Sequence, residues 1–265
     1  MTTRPDPRDS GTPYRDRNST ADRVLDILGL FSAERPVWSG ADIAASLDVA
    51  RSTAYRYLQS LSATGFVEET PGGFRLGPRI FALARLARVG LGLSDLAVPV
   101  MRGLAEHVNE TVLLTRRSGR SVVCLDLVEV SRPVRLSYER GHILPINAGA
   151  AAEVLLAWED PDEVTAVLNQ APLERFTHKT LVDPAALRTR LERIRNRGIA
   201  VSLGELDDHI LGVAAPIRGA NGSVRAAISI AALAARIPQA QLPEVEAAVA
   251  AAAAEVTRRL CVRDS

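Results

Sequence analysis

Arg51, Ser52, Thr53, Tyr55, Arg56 and Gln59 share one side of a helix that begins near Arg51. Their guanidinium, hydroxyl, phenol and amide groups can meet phosphates or base edges in a DNA major groove. Arg75 and Arg79 follow at a distance that suits contacts to the flanking phosphates. The other side of the helix carries Ala54, Leu58 and Leu61, with Tyr57 partly inside, and this stripe anchors it. One side is available for contact; the other is committed to a core.

A second group lies in Leu144–Ala157, where a strand end feeds a helix through Asn147-Ala148-Gly149-Ala150. Small residues there leave the backbone N–H groups of Gly149, Ala150 and Ala151 uncovered at a helix N-terminus. That end carries partial positive charge and binds carboxylates. Close helix-to-sheet packing also selects Gly and Ala, and the residues alone leave both readings open.

Catalytic readings find little support. His107, His142, His178 and His209 are scattered, without metal-ligand spacing, and His209 beside Asp207 and Asp208 reads as a solvated acidic loop. Neither Ser202 and Ser229 nor Cys124 and Cys261 have a paired base in a recognisable local context. Phosphate loops of the G-x-x-x-x-G-K-[ST] or G-x-G-x-x-G type are absent. The reading is no enzyme, no metal and no cofactor. Two cysteines fit a reduced compartment, and Cys124, in an apolar strand pattern, reads as core.

The elements that must position these groups are legible. Ser39 is a good N-cap for a helix with Ile43, Ala44 and Leu47 on one face. Asp48 sits in the turn that follows, Val49 plugs the angle, and the reading helix runs on to Gly65, a C′ glycine. Phe66–Glu69 and Phe74–Leu76 alternate around Pro71-Gly72-Gly73 and predict a hairpin wing. The whole reads as a winged helix-turn-helix over residues 19–77, against the plainer alternative of a generic helical hairpin. A capping box, Ser19-x-x-Asp22, opens its first helix.

Gly77-Pro78 starts a linker helix to about Val89. Its apolar residues Ile80, Phe81, Leu83, Ala84, Leu86 and Ala87 span too wide an arc for a lone helix, so residues 78–93 are expected to dimerise. From Thr111 the period changes. Strands are expected at Thr111–Thr115, Val122–Val128, Val134–Ser137, Leu144–Ile146, Ile199–Ser202, Val213–Ile217 and Val224–Ile230, with Asn221-Gly222 as a type I′ hairpin. Helices are expected at Asp95–Val108 and Ala150–Trp158, after Asp160-Pro161 and Asp183-Pro184, and at Pro243–Leu260. The interleaving indicates an α+β domain over 94–262.

Residues 1–18 are rich in Pro, Asp, Arg and Ser and read as a disordered tail without a secretory core. No apolar run is long enough to span a membrane, and a cytoplasmic protein is expected. The net charge of +1 does not announce a nucleic-acid binder. Residues 19–77 carry five Arg against seven acids, a net of −2, so DNA binding would rest on local placement doubled in a dimer. Lys179 is the sole lysine, a bias that genome composition explains.

The segments Asp22–Leu28, Ile43-Ala44 to Leu47, Ser52–Arg56, Gly65-Phe66-Val67 and Arg75–Arg79 resemble the DNA-binding domain of the IclR family of bacterial transcriptional regulators. The likeness continues through Arg135-Leu136-Ser137, Leu144-Pro145, Leu155–Ala157, Asp183–Leu187, Ile194–Gly198, Ala214–Pro216 and Ala227–Ile230, covering about residues 20–260. The resemblance implies a GAF/PAS-like C-terminal domain that binds a small effector. It also implies a homodimer or tetramer on double-stranded operator DNA, acting as a repressor. Effector contacts carried over by position are Ala148, Gly149, Ala150, Ala151, Ser202, Ile210, Gly212, Ser229 and Ala231.

The chain departs from the family pattern at several of these. Gly149 replaces a Ser or Thr, Glu153 a Lys, Gly212 a Cys, and Ala231-Ala232 the end of Ser-x-Ser-Gly. The smaller residues at 149, 212 and 231 predict a larger, less polar cavity and a carboxylate with a bulkier, for instance aromatic, body. Two other readings stand beside this one: a DNA-binding dimer without a ligand, and an enzyme fused to a DNA-binding module.

Overall fold

The computed structural model describes residues 20–264, apart from 33, 133–135, 137 and 171. Compact packing divides the chain after Gly90. Three helices, α1 (Thr20–Gly29), α2 (Gly40–Ser46) and α3 (Arg51–Ala63), precede the hairpin β1 (Val67–Thr70) and β2 (Gly73–Leu76), and α4 (Pro78–Leu91) follows. Ser39 caps α2 with its hydroxyl on Asp42 N, as its type predicts. Asp48 takes the left-handed conformation at φ 51°, which lets α2 and α3 meet at a sharp angle. Gly65, at φ 76°, ends α3, with Phe66 N donating to Leu61 O. Ile27, Ile43, Leu58, Leu61, Val67 and Phe74 form the core beneath α3. Trp38 exchanges two backbone hydrogen bonds with Phe74, adding a bridge to the wing that the sequence did not suggest.

The second unit begins with α5 (Leu93–Val108) and is built on an antiparallel sheet in the order β5-β4-β3-β8-β7-β6. Its strands are β3 (Thr111–Ser118), β4 (Ser121–Val128), β5 (Ile143–Pro145), β6 (Ala200–Leu203), β7 (Ile210–Arg218) and β8 (Val224–Leu233). Between β5 and β6 come α6 (Ala150–Ala157), α7 (Pro161–Asn169) and α8 (Pro184–Arg197), and α9 (Leu242–Asp264) closes the chain. Strand periodicity divides the sheet. Val112, Leu114, Val213, Ile228 and Ile230 pack with α5 and α9, while Val122, Ala200, Ala214 and Ala227 pack with α6, α7 and α8. On β8 this sends Ser229 and Ala231 to the same side as Ala227, opposite Ile228 and Ile230.

Several expectations are corrected. The Asn221-Gly222 turn is not type I′, because Asn221 keeps negative φ and only Gly222 is left-handed, at φ 80°. Gly219 N bonds Ser223 O, and the register shifts between Ile217 and Arg218, so a bulged hairpin with a longer loop replaces the two-residue turn. Strands β3 and β7 run longer than expected, and Gly92 at φ 50° separates α4 from α5. The tail 1–18, Ser19 of the capping box and most of the Val134–Ser137 strand lie outside the described residues; Leu136, within that stretch, is not in a strand.

Candidate DNA-reading surface and effector cavity

Helix α3 buries Ala54, Leu58 and Leu61 and exposes Arg51, Ser52, Arg56 and Gln59 together. Thr53 is half-buried beside them. Tyr55, 46 % exposed, meets Phe74 edge-on at 6.2 Å between ring centres. A Cβ on Gly40 would lie 2.7 Å from its ring, so only glycine there lets Tyr55 lie flat on α2. Tyr55 therefore helps wedge α3 between α2 and the wing. Arg75 is exposed on the wing and paired with Glu68 at 2.5 Å. Arg79 is exposed on the first turn of α4.

All nine residues carried over as effector contacts line one open cavity. Leu113, Leu144, Leu206 and Ile210 make most of its wall apolar, and Tyr138 and Glu205 join the lining. Burial, then the charge of Asp207, push the Tyr138 phenol above its usual range, so it remains a neutral hydroxyl. Ser229 is 2 % exposed and its Oγ has no partner.

The helix N-terminus differs from expectation. Gly149 N donates to Glu205 Oε2 at 3.2 Å and Ala150 N donates to Ser202 Oγ at 2.9 Å. Two of the three N–H groups expected to be uncovered are thus occupied by the protein's own oxygens. Gly212 does not enlarge the cavity either. A Cβ there would sit 2.8 Å from Ser202 Oγ and 3.4 Å from Ala150 Cβ, so glycine allows β7 to approach α6. Gly149 has open space around it, but at φ 93° the backbone itself requires glycine.

Behind the cavity lies a charged cluster that motif reading did not assemble. Glu153 is 1 % exposed and Glu205 6 %, and Arg190 from α8 reaches both. Arg190 Nη2 donates to Glu205 Oε1 at 2.8 Å, Glu153 Oε2 at 3.1 Å and Val201 O at 2.8 Å. Its Nε lies 2.8 Å from Glu153 Oε1 without the alignment of a hydrogen bond. Burial, with Glu205 adding to it, pushes the Glu153 carboxyl up to about 8 against the opposing pull of Arg190. The lysine-to-glutamate departure at 153 is the signal that pointed here, and Arg190 is its partner.

Cys124 is buried, and burial followed by the Asp126 charge raises its thiol to about 11, which leaves it an inert core group. Among the described residues, no three His, Cys, Asp or Glu side chains converge as metal ligands. No described helix is long and apolar enough to cross a membrane.

This arrangement agrees with its relatives. The IclR helix-turn-helix domain model matches residues 20–71, and the bacterial transcriptional regulator IclR C-terminal model matches residues 87–258. The HTH-type transcriptional regulator BhcR of Paracoccus denitrificans is 34 % identical over 238 residues, 89 % of this chain and 85 % of that protein. The HTH-type transcriptional repressor AllR of Salmonella typhi is 31 % identical over 223 residues, 82 % of this chain and 81 % of that one. An IclR homologue from Microbacterium hydrocarbonoxydans, solved in complex with 4-hydroxybenzoate, superposes with a TM-score of 0.78 at 28 % identity, covering 92 % of this chain and 98 % of its own. A helix-turn-helix backed by a wing, an α+β domain with a lined cavity, and similarity across both units agree: the chain belongs to the IclR family of bacterial transcriptional regulators, which are not enzymes.

Proposed function

We propose that this regulator is a cytoplasmic repressor whose operator affinity is set by a small organic acid bound in the C-terminal cavity. In this reading residues 19–77 bind DNA, 78–93 join two copies and 94–262 sense the effector. The observation that carries it is the cluster of Arg51, Ser52, Arg56 and Gln59 on the one exposed side of a helix whose other side is fully buried. Repression has the support of the relative named as a repressor. An effector with an aromatic-sized apolar body has the support of the cavity lining and of the 4-hydroxybenzoate-bound relative. Linkage supplies the mechanism: an effector that prefers one dimer geometry changes how two reading helices fit half-sites about one helical turn, ~34 Å, apart.

Arg56→Ala is expected to weaken operator binding by about 1–3 kcal/mol and to relax base preference at one position of the site. Arg75→Ala should weaken binding to all sequences alike, and only modestly, because Glu68 already shares that guanidinium. Quantitative gel shifts on operator and scrambled DNA measure both. Equal operator affinity for wild type and Arg56→Ala would remove α3 as the reader.

Helix α4 supports dimerisation. Phe81 is 77 % exposed, with Leu83 and Leu86 also exposed on the same helix. Phe81→Glu should place buried charge in an apolar contact and shift sedimentation from dimer or tetramer to monomer. An unchanged oligomer in a soluble Phe81→Glu protein would move the contact elsewhere. The ligand-independent alternative predicts that no small molecule raises the melting temperature of the full chain.

A further inference from the structure

We propose that Glu153 is a specificity-determining residue of the effector cavity: acting through Arg190 and Glu205, it keeps the charge cluster behind helix α6 neutral, so that the cavity accepts a carboxylate. The proposal rests on the cavity being the effector site. At the cavity end of α6, Gly149 N is engaged by Glu205 Oε2 at 3.2 Å and Ala150 N by Ser202 Oγ at 2.9 Å. The donors left there among the described residues are the Ala151 N–H and the Ser229 hydroxyl, whose Oγ has no partner. Both suit a ligand carboxylate, which then lies beside the carboxylate of Glu205.

Charge balance decides whether a ligand anion can stay there. Arg190 Nη2 donates to Glu205 Oε1 at 2.8 Å and to Glu153 Oε2 at 3.1 Å. One guanidinium thus serves two carboxyl groups that are 6 % and 1 % exposed. With both ionised, the cluster carries a net negative charge in the same turn of α6 that offers its N–H groups to the ligand, and a single cation cannot offset it. With a proton on Glu153, Arg190 balances Glu205 and the cluster is neutral. Glu153 Oε1 has no hydrogen-bond partner, a cost that falls more heavily on a buried carboxylate than on a carboxyl group.

The charged groups that act on Glu153 are Glu205, from the loop between β6 and β7, and Arg190 from α8; burial and then Glu205 push its carboxyl up to about 8 against Arg190. Helix α6 carries no other ionisable side chain, and Glu159, just past its end, pairs with Arg117 of β3. Strand β6 has no charged residue, Arg218 of β7 lies over Trp158, and Arg225 of β8 is exposed beside Gly219. On α8, Arg188 bonds Thr165 and Arg195 bonds Ala157 O, while Glu192, Arg193 and Arg197 are exposed. Lys179 packs on Gly204 from the exposed surface.

Calorimetry on the full chain with benzoate, cyclohexanecarboxylate and isovalerate, all ionised above about pH 6, tests this. A carboxylate bound nearby makes Glu153 hold its proton about tenfold more tightly. Wild-type affinity should therefore be level up to about pH 7 and fall about fivefold by about pH 9. Binding at about pH 8.5 should take up about half a proton, read from two buffers of different ionisation enthalpy, and at about pH 6.5 none. Glu153→Gln should show level affinity and no proton uptake, and a role in packing alone moves neither readout. If Glu153→Gln does not fold, proton uptake in wild type decides alone. Level wild-type affinity without uptake, or the same uptake in folded Glu153→Gln, overturns the proposal while leaving the cavity as the effector site. Failure of all three acids to bind at every pH overturns both.

Discussion

Arg190→Ala is expected to destabilise the C-terminal unit by about 3 kcal/mol, more than the loss of any surface ion pair in the chain. Removing one member of a buried ion pair typically costs about 3–5 kcal/mol, because the remaining charge keeps its desolvation penalty and loses its partner. The lower end applies because the Arg190 side chain is 31 % exposed and water can replace part of what it supplies. At neutral pH the loss falls on Glu205, which keeps, among the described residues, Gly149 N as a donor to its carboxylate. Adding Glu205→Gln to Arg190→Ala should recover more than half of the loss, which a double-mutant cycle measures. Trp38 and Trp158 are the chain's two tryptophans. In a Trp38→Phe background, urea unfolding followed at Trp158 therefore reports the unit that holds Arg190. A loss below about 1 kcal/mol would mean that the cluster is hydrated and energetically slack.

The sequence made the N-terminal unit legible almost residue by residue, because short-range rules govern it. Ser39 caps its helix, Asp48 and Gly65 occupy the positive-φ positions, and the Ala54-Leu58-Leu61 stripe marks the buried side. The type I′ expectation at Asn221-Gly222 failed because hairpin turn type follows loop length and register, and the bulge at Ile217 and Arg218 sets those from the sheet. In the cavity, small residues were legible but their reasons were not. Gly149 answers to its backbone angle and Gly212 to the approach of Ser202, two causes that leave the same letter in a sequence. Arg190 was invisible for a different reason. It lies 37 residues from Glu153 and 15 from Glu205, and only the packing of α8 against α6 brings the three charges together. The occupied N-terminus of α6 follows from the same long-range closure.

Glu153→Gln is expected to remove a fall in the stability of this unit with rising pH. Glu153 has its folded-state pKa raised from 4.5 to about 8, with burial the main cause and the neighbouring Glu205 charge the next. A raised carboxyl pKa means that the folded chain holds a proton which the unfolded chain releases. Wild-type stability therefore falls as pH rises between about 4.5 and 8, and is flat with respect to this group outside that window. Glutamine keeps the shape and an acceptor for Arg190 but never ionises. The variant should nearly match wild type near pH 5 and exceed it by about 2–3 kcal/mol above pH 8, roughly half of what the full shift from 4.5 to about 8 would allow at ~1.4 kcal/mol per pH unit. Taking the difference between the two proteins at each pH cancels the surface carboxylates, such as Glu255, whose pKa is lowered by Arg259 and Arg258 and whose slope runs the other way. The competing picture is an ionised Glu153 stabilised by its ion pair with Arg190. It requires the reverse, with Glu153→Gln losing stability as pH rises. Trp158-reported unfolding midpoints from pH 5 to 8.5 separate the two by the sign of one slope.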